Sequence, residues 1–194
     1  CSPSEEVIIS RQLERIAIWI VEWERNAGQS VERRFNEMKG EVLLKVRDAP
    51  ALIIRARADR IDRNLDGSCT LLDYKTGQIP AKKDIAAGRA PQLPLQGWMM
   101  MQGGFEGLRD PAKAFYIQLK GYRSHNRCKV LQDFVTLSQQ AGIGLEALIA
   151  RFCSTDAVFF YQDGGPYDQS ATLARFHEWG ASDSNISDSG AGNQ

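Results

Sequence analysis

Apolar positions near the start of the chain recur at the spacing of one helix face. They fall three or four residues apart, at Ile9, Leu13, Ile16, Ile20 and Trp23. This spacing predicts a helix over residues 4–26. Ser4, Glu5 and Glu6 are typical of a helix start, and Gly28 is typical of a helix end.

Further along, short apolar or alternating runs are bounded by turn residues, which is typical of β-strands. The predicted strands cover residues 42–46, 52–61, 69–75, 112–119 and 130–135. Within 52–61 the even positions from 52 to 58 are apolar, whereas Arg55, Arg57 and Asp59 are polar. Because side chains alternate along a strand, Asp59 is predicted to lie on the polar face.

Three further helices are predicted from the same kind of pattern. They cover residues 92–102 after Pro91, 138–152 and 171–179. Residues 181–194 are mostly Ser, Asp, Gly and Asn with almost no apolar content. Such a composition cannot bury a core, and it predicts a disordered tail.

The turn between the strands 52–61 and 69–75 decides whether two acids face each other. Residues 65–67 (Leu-Asp-Gly) suit a three-residue loop with Gly67 in the left-handed conformation. This loop places Asp59 directly opposite Asp73, with Cβ atoms about 5 Å apart. A two-residue loop at 66–67 shifts the register by one residue and places the two aspartates on opposite faces.

Two facing carboxylates repel each other and destabilise a sheet unless something compensates. One of them can be protonated at a raised pKa, or Arg55 or Arg57 can neutralise the pair. A bound divalent cation is the third solution, and Mg²⁺ suits one or two carboxylates because it keeps several waters. Lys75 shares the face of Asp73, where it would hold an attacking water or stabilise charge on a phosphate oxygen.

The length of the chain bears on the number of domains, and its net charge bears on how it could bind nucleic acid. A chain of 194 residues favours one domain, and its 24 basic and 24 acidic side chains give no global attraction to nucleic acid. Any DNA binding must therefore come from local patches. The candidate phosphate contacts are Lys82, Lys83, Arg89, Lys120, Arg123, His125 and Arg127.

The compartment is predicted from what the sequence lacks. It contains no apolar run long enough for a membrane span and no pattern of a signal peptide. The cysteines at 1, 69, 128 and 153 have no CxxC spacing, so we expect reduced thiols in a cytoplasmic protein. Because the chain begins at Cys1, we expect it to be a fragment of a longer protein.

Three motifs resemble one nuclease family in order and spacing. They are RADRID at 57–62, DYKTG at 73–77 and PQLPL at 91–95. Together they resemble the RecB-like branch of the PD-(D/E)XK nucleases. The runs at 79–107 and 173–179 are similar to the C-terminal nuclease domain of AddB-type subunits of alphaproteobacteria, which act in double-strand break repair.

The resemblance implies a restriction-endonuclease-like α/β fold, a mixed β-sheet flanked by α-helices. The resemblance covers roughly residues 19–179. We expect a single nuclease domain over residues 1–180: an N-terminal helix at 1–27, a catalytic core at 28–135 and a C-terminal helical part at 136–180. The resemblance also implies hydrolysis of DNA phosphodiester bonds with one or two Mg²⁺ or Mn²⁺ ions.

The resemblance assigns roles to individual residues. Asp59, Asp73 and the Tyr74 main-chain carbonyl match metal ligands, Lys75 matches the catalytic lysine, and Gln92 matches a strand-positioning glutamine. Glu37 matches the upstream metal-binding glutamate, with Glu32 and Glu41 as nearby competitors. Position 96 is Gln, where the family motif has Tyr.

The expected partners are DNA, contacted through its backbone as a single strand or duplex end, and an AddA-like helicase–nuclease subunit. We expect no iron–sulfur cluster, because the cysteine spacing differs from that of the relatives that carry one. We expect no nucleotide, because GxxxxGK[ST] is absent. The alternative is a catalytically silent DNA-binding or subunit-docking module.

Two other groups are predicted to be structural. Arg60 and Asp62 belong to a run of alternating charge, which favours an ion pair over metal ligation. Trp98 and the methionines at 99–101 are predicted to belong to the core and not to a base-stacking surface. His177 lies in an amphipathic segment and is interpreted as structural.

Overall fold

The computed structural model describes residues 3–27, 30–47, 49–120 and 126–153. The helices are α1 (Pro3–Ala27), α2 (Lys82–Ala86), α3 (Gln92–Met101) and α4 (Phe134–Phe152). The strands are β1 (Val31–Leu44), β2 (Leu52–Asn64), β3 (Cys69–Lys75), β4 (Pro111–Gln118) and β5 (Arg127–Val130).

The five strands form one sheet in the order β1-β2-β3-β4-β5. Neighbours are antiparallel except for β3 and β4, which are parallel. A parallel pair needs a crossover connection, and the segment that contains α2 and α3 supplies it. This mixed sheet with flanking helices confirms the α/β architecture that the resemblance implied.

Several predicted boundaries were wrong. β1 begins at Val31 and not at residue 42, because the alternating charges of an edge strand conceal its period. β5 lies at Arg127–Val130 and α4 begins at Phe134, so both come earlier than predicted. The short helix α2 was not predicted. The predicted helix at 171–179 and the tail at 181–194 lie outside the described residues, as do Gly28, Arg123, His125 and His177.

The main core lies between one face of the sheet and helices α3 and α4. Trp98, Met99 and Met100 are buried there, which confirms their predicted core role, whereas Met101 is only half-buried and lies outside the core cluster. The two helices approach closely at glycines: a Cβ at Gly97 would collide with Ser138 and Phe134. A Cβ at Gly142 would collide with the Trp98 ring, so the small residues fix the position of α3 against α4.

A buried charge cluster connects α1 to the other face of the sheet. Arg60 is 6% exposed and donates to Asp62 Oδ1 at 2.7 Å, which confirms the predicted ion pair. Arg60 also bonds Glu24 of α1, and its guanidinium carbon lies 5.7 Å from the centroid of the Trp23 ring. Burial lowers the pKa of Arg60, but the hydrogen bonds that Arg60 donates to Asp62 and Glu24 outweigh it and hold that pKa above its usual value.

Candidate active site

The hairpin between β2 and β3 has the three-residue loop. Asn64 N donates to Ser68 O at 2.8 Å, and Gly67 has φ 84°, the left-handed conformation. Asp66 Oδ1 accepts hydrogen bonds from Ser68 Oγ and Ser68 N, which lower the pKa of Asp66. Asp66 therefore shapes the turn, and the predicted register is confirmed by the pairing of Arg60 with Leu72.

The Asp59 side chain accepts a backbone hydrogen bond at the point where the β2–β3 ladder ends. The last backbone pair is Arg60 with Leu72. Beyond it, the Tyr74 N–H donates to Asp59 Oδ2 at 3.0 Å. A side chain thus replaces the next ladder bond, and this fixes the Asp59 carboxylate at the opening between the two strands.

Asp73 is the most buried acid of the site, at 1% exposure. Its Oδ1 accepts a hydrogen bond from Lys75 Nζ at 3.1 Å. Its Oδ2 lies 2.9 Å from the same Nζ, but it has no hydrogen-bond partner of acceptable geometry among the described residues. Burial raises the pKa of Asp73, Lys75 lowers it, and repulsion from Asp59 raises it further.

A buried phenol lies beside this acid. Tyr116 of β4 pairs in register with Asp73. Burial, with a contribution from the Asp73 charge, raises the pKa of Tyr116 to about 12. Asp73 and Tyr116 are both buried, so an uncompensated charge at this position is costly.

Lys75 joins β3 to the start of α3. Its Nζ donates to Gln92 Oε1 at 2.9 Å as well as to Asp73. One turn later Gln96, which is buried, donates from Nε2 to Arg57 O at 3.1 Å. Helix α3 thereby contacts both strands of the hairpin beside the acids.

The role of Gln96 was missed from the sequence. The available signal was its spacing of four residues from Gln92, which places both amides on one face of the helix. Gln118 was missed as well. It is buried at the end of β4 and donates to Gly77 O at 2.5 Å, so it holds the chain directly after Lys75.

Glu37 lies across from Asp59, but its side chain is engaged elsewhere. Its register neighbours pair as Asn36 with Arg60 and Met38 with Ala58, so Glu37 comes opposite Asp59. Its backbone is left-handed, with φ 52°. Its carboxylate is 61% exposed and lies 2.8 Å from Arg57 Nε.

The two competing glutamates of β1 also have arginine partners. Glu41 pairs with Arg55, and Glu32 pairs with Arg63. Within the described ranges, no three acidic, histidine or cysteine side chains form a group able to hold a metal ion. The structure thus brings together Asp59, Asp73, Lys75 and Gln92, with Glu37 across the strand.

The donor set fits a divalent cation with few protein ligands. Two carboxylates meet at the strand ends, and Asp73 Oδ2 is a buried oxygen without a hydrogen-bond partner among the described residues. Hard cations such as Mg²⁺ take carboxylate oxygens and complete their coordination with water. Asp59 and Asp73 are the residues that could hold such an ion.

The surface cations differ in their surroundings. All of Arg89, Lys82, Lys83 and Arg127 are exposed. Arg89 pairs with Asp84 at 2.8 Å, whereas the other three form no ion pair with a described residue. Among the described residues, no helix is long and apolar enough to cross a membrane.

Comparison with known proteins identifies a family. The sequence profile of the PD-(D/E)XK nuclease superfamily matches residues 4–176. "Uncharacterized protein RC0550" of Rickettsia conorii is 35% identical over 115 residues, which is 56% of this chain and 14% of that protein. An uncharacterized protein of Rickettsia felis is 42% identical over 81 residues, which is 39% of this chain and 9% of that protein.

The chain therefore spans only a small part of the length of these relatives. Among solved structures, "Crystal structure of SSO0001" superposes with a TM-score of 0.39 and 16% identity. That match covers 68% of this chain and 58% of the other.

Proposed function

The chain belongs to the PD-(D/E)XK nuclease superfamily, and from this we propose that it hydrolyses DNA phosphodiester bonds with the aid of Mg²⁺ or Mn²⁺. The observation that carries the proposal is the environment of Asp73. This buried carboxylate has one oxygen without a hydrogen-bond partner among the described residues and lies against Lys75. Buried carboxylates with a specific charge partner are typical of functional sites.

Each side chain has a distinct task. Asp59 and Asp73 would hold the cation, and the Tyr74 N–H keeps the Asp59 carboxylate in place. A divalent cation held by these two carboxylates would supply a hydroxide nucleophile and would stabilise charge on the leaving oxygen. Lys75, held between Asp73 and Gln92, orients the attacking water and offsets negative charge on the phosphoryl group.

Glu37 and the Tyr74 carbonyl are the proposed additional ligands. Glu37 is favoured over Glu32 and Glu41 because only Glu37 lies opposite Asp59 in the strand register. Its carboxylate must leave Arg57 before it can join the other two acids. An exposed ion pair of this kind contributes only about 0–1 kcal/mol, so its loss is not prohibitive.

We place this domain in an AddB-like subunit that acts as an exonuclease beside an AddA-like partner in double-strand break repair and recombination, in the cytoplasm. The support is the resemblance of the runs at 79–107 and 173–179. The small share of the Rickettsia relatives that the chain covers agrees with one domain of a long polypeptide.

A silent DNA-binding or docking module is the second candidate. Two observations favour it: Gln96 replaces the tyrosine of the family motif, and no third acid joins Asp59 and Asp73 in the described part of the chain. Calorimetric titration with Mn²⁺ distinguishes the two candidates. A module that binds DNA but no metal ion would refute the nuclease proposal.

The decisive variants are Asp73→Ala and Lys75→Ala, assayed on linear DNA with Mg²⁺ and with Mn²⁺. Each is expected to abolish degradation while the chain stays folded. Glu41→Ala is the matched control, because it removes an exposed carboxylate with an arginine partner from the edge strand β1, which does not pair with β3. Unchanged degradation by either site variant would overturn the assignment.

A further inference from the structure

Two rows of side chains cross the sheet from β3 to the edge strand β5. The first row is Asp73, Tyr116 and Lys129, and the second row is Lys75, Gln118 and Arg127. Directly paired residues project to the same face of a sheet. The acid and the lysine of the active site therefore share their face with both cations of β5.

Within the part of the chain that the structure describes, these cations have no acidic partner. Arg127 and Lys129 are exposed, and neither forms an ion pair with any described residue. Lys82 of α2 is also exposed and lies with Lys129 around a notch of about 70 Å³. Tyr116 lines the same notch, so Lys82 and Lys129 adjoin the row that contains Asp73. Arg127 lies in the neighbouring row, opposite Gln118.

The distance between β3, which carries Asp73 and Lys75, and β5 is short compared with the length of a bound DNA strand. Neighbouring strands lie about 4.8 Å apart, so β5 lies about 10 Å from β3 across the sheet. A DNA strand whose scissile phosphate lies at Lys75 reaches β5 within a few nucleotides. Its phosphates would then meet unneutralised cations, and positive charge is all that a backbone contact requires.

Strand β2, which flanks β3 on the side away from β4, offers no comparable row of unpaired cations. All four arginines of β2 are already paired: Arg55 with Glu41, Arg57 with Glu37, Arg60 with Asp62 and Glu24, and Arg63 with Glu32. A phosphate would have to displace a carboxylate from each of them.

We propose that Lys82, Arg127 and Lys129 form a phosphate-binding subsite that directs the DNA strand away from the scissile bond over the β4–β5 edge. The DNA substrate is taken from the proposed function. The sequence had already indicated Lys82 and Arg127 as candidate phosphate contacts. The new content is the direction of the strand and the grouping of these two residues with Lys129 in one subsite.

The test is DNA binding by the full 194-residue chain in EDTA, where no cleavage occurs. Fluorescent single-stranded and duplex-end oligonucleotides are titrated over a salt series. For Arg127→Gln/Lys129→Gln, Kd is expected to rise about tenfold and the salt slope to fall by about 1 to 2. In the presence of metal, KM should rise by a similar factor with kcat within about twofold.

The matched control is Lys45→Gln/Lys113→Gln, which removes the same charge from two other exposed lysines. Lys113 lies at the opposite end of β4, beside Thr70. The charge-conserving Arg127→Lys/Lys129→Arg variant should bind like the parent chain. All variants are compared by thermal unfolding, because exposed substitutions should leave Tm unchanged.

Equal Kd and salt slope for the β5 variant and its lysine control would overturn the subsite. A fall in kcat without a change in Kd would also overturn it. If the parent binds DNA through these cations but never hydrolyses it, the subsite is supported and the nuclease proposal fails. If the parent binds no DNA, both are refuted.

Discussion

The arginines of β2 and the cations of β5 carry the same charge in opposite surroundings. Every arginine of β2 has an acidic partner, from the buried Arg60–Asp62 pair to the exposed Arg55–Glu41 pair. Arg127 and Lys129 of β5 have none among the described residues. A paired cation stabilises the sheet, whereas an unpaired cation beside an active site remains available to a ligand.

The difference also explains how a neutral chain can bind a polyanion. The net charge is zero, so long-range attraction is weak. Ion pairs neutralise the arginines of β2, whereas Arg127 and Lys129 on β5 form none with a described residue. Asp73 and Lys75 lie on β3, between the two regions.

Arg60→Ala is the strongest test of the structural half of this comparison. The substitution leaves the buried Asp62 carboxylate without its main partner and removes the link to Glu24. Breaking a buried pair in this way costs about 3–5 kcal/mol. The free energy of unfolding, measured by urea denaturation, should fall by that amount.

Two control variants show whether the loss of stability comes from the buried unpaired charge. Arg55→Ala breaks an exposed pair and should change the free energy of unfolding by less than about 1 kcal/mol. Arg60→Met combined with Asp62→Leu removes both buried charges and should recover much of the loss. A loss for Arg60→Ala no greater than that for Arg55→Ala would mean that the buried cluster is not structural.

Asp73→Asn tests whether the buried charge of Asp73 lowers the stability of the folded chain. Its raised pKa means that the folded chain binds the proton more tightly than the unfolded chain. Stability should therefore fall as pH rises from the usual aspartate pKa through the raised one. The asparagine variant lacks this decline, so in metal-free buffer near neutral pH its Tm should be about 2–4 °C higher, or roughly 1 kcal/mol.

Thermal unfolding of both chains from pH 4 to pH 8 measures the effect. Asp66→Asn is the control, because the pKa of Asp66 is lowered and its substitution should reduce stability slightly instead. Equal pH dependence of Tm for the parent and Asp73→Asn would show that the buried charge has no cost.

The hairpin that positions Asp59 and Asp73 could be predicted because a few consecutive residues determine its turn and its register. Residues 65–67 dictate the loop, and Gly67 adopts the left-handed conformation that fixes the register. The same reasoning identified Asp59, Asp73 and Lys75 as neighbours. The Arg60–Asp62 pair followed from alternating charge alone.

The remaining features depend on contacts between distant segments. The first half of β1 gave no strand signal, because its charges are satisfied by arginines of β2 that only the folded sheet brings near. The bond from Gln96 to the Arg57 carbonyl spans 39 residues. The left-handed backbone of Glu37 could not be predicted, because a non-glycine residue adopts it only under tertiary constraint.

Arg57→Gln tests whether the Arg57–Glu37 ion pair competes with metal binding by Glu37. The expected change in metal affinity is the smallest effect among these predictions. Arg57 is the β2 arginine whose partner, Glu37, is also the proposed third metal ligand. Removing the guanidinium releases Glu37 from a pair that contributes at most about 1 kcal/mol, so Mn²⁺ affinity should rise by no more than about fivefold. Calorimetry of Arg57→Gln, Glu37→Gln and the double variant isolates the coupling between the two residues. If Glu37→Gln leaves Mn²⁺ affinity unchanged in both backgrounds, Glu37 is not a ligand, and its pair with Arg57 is as structural as the other pairs of β2.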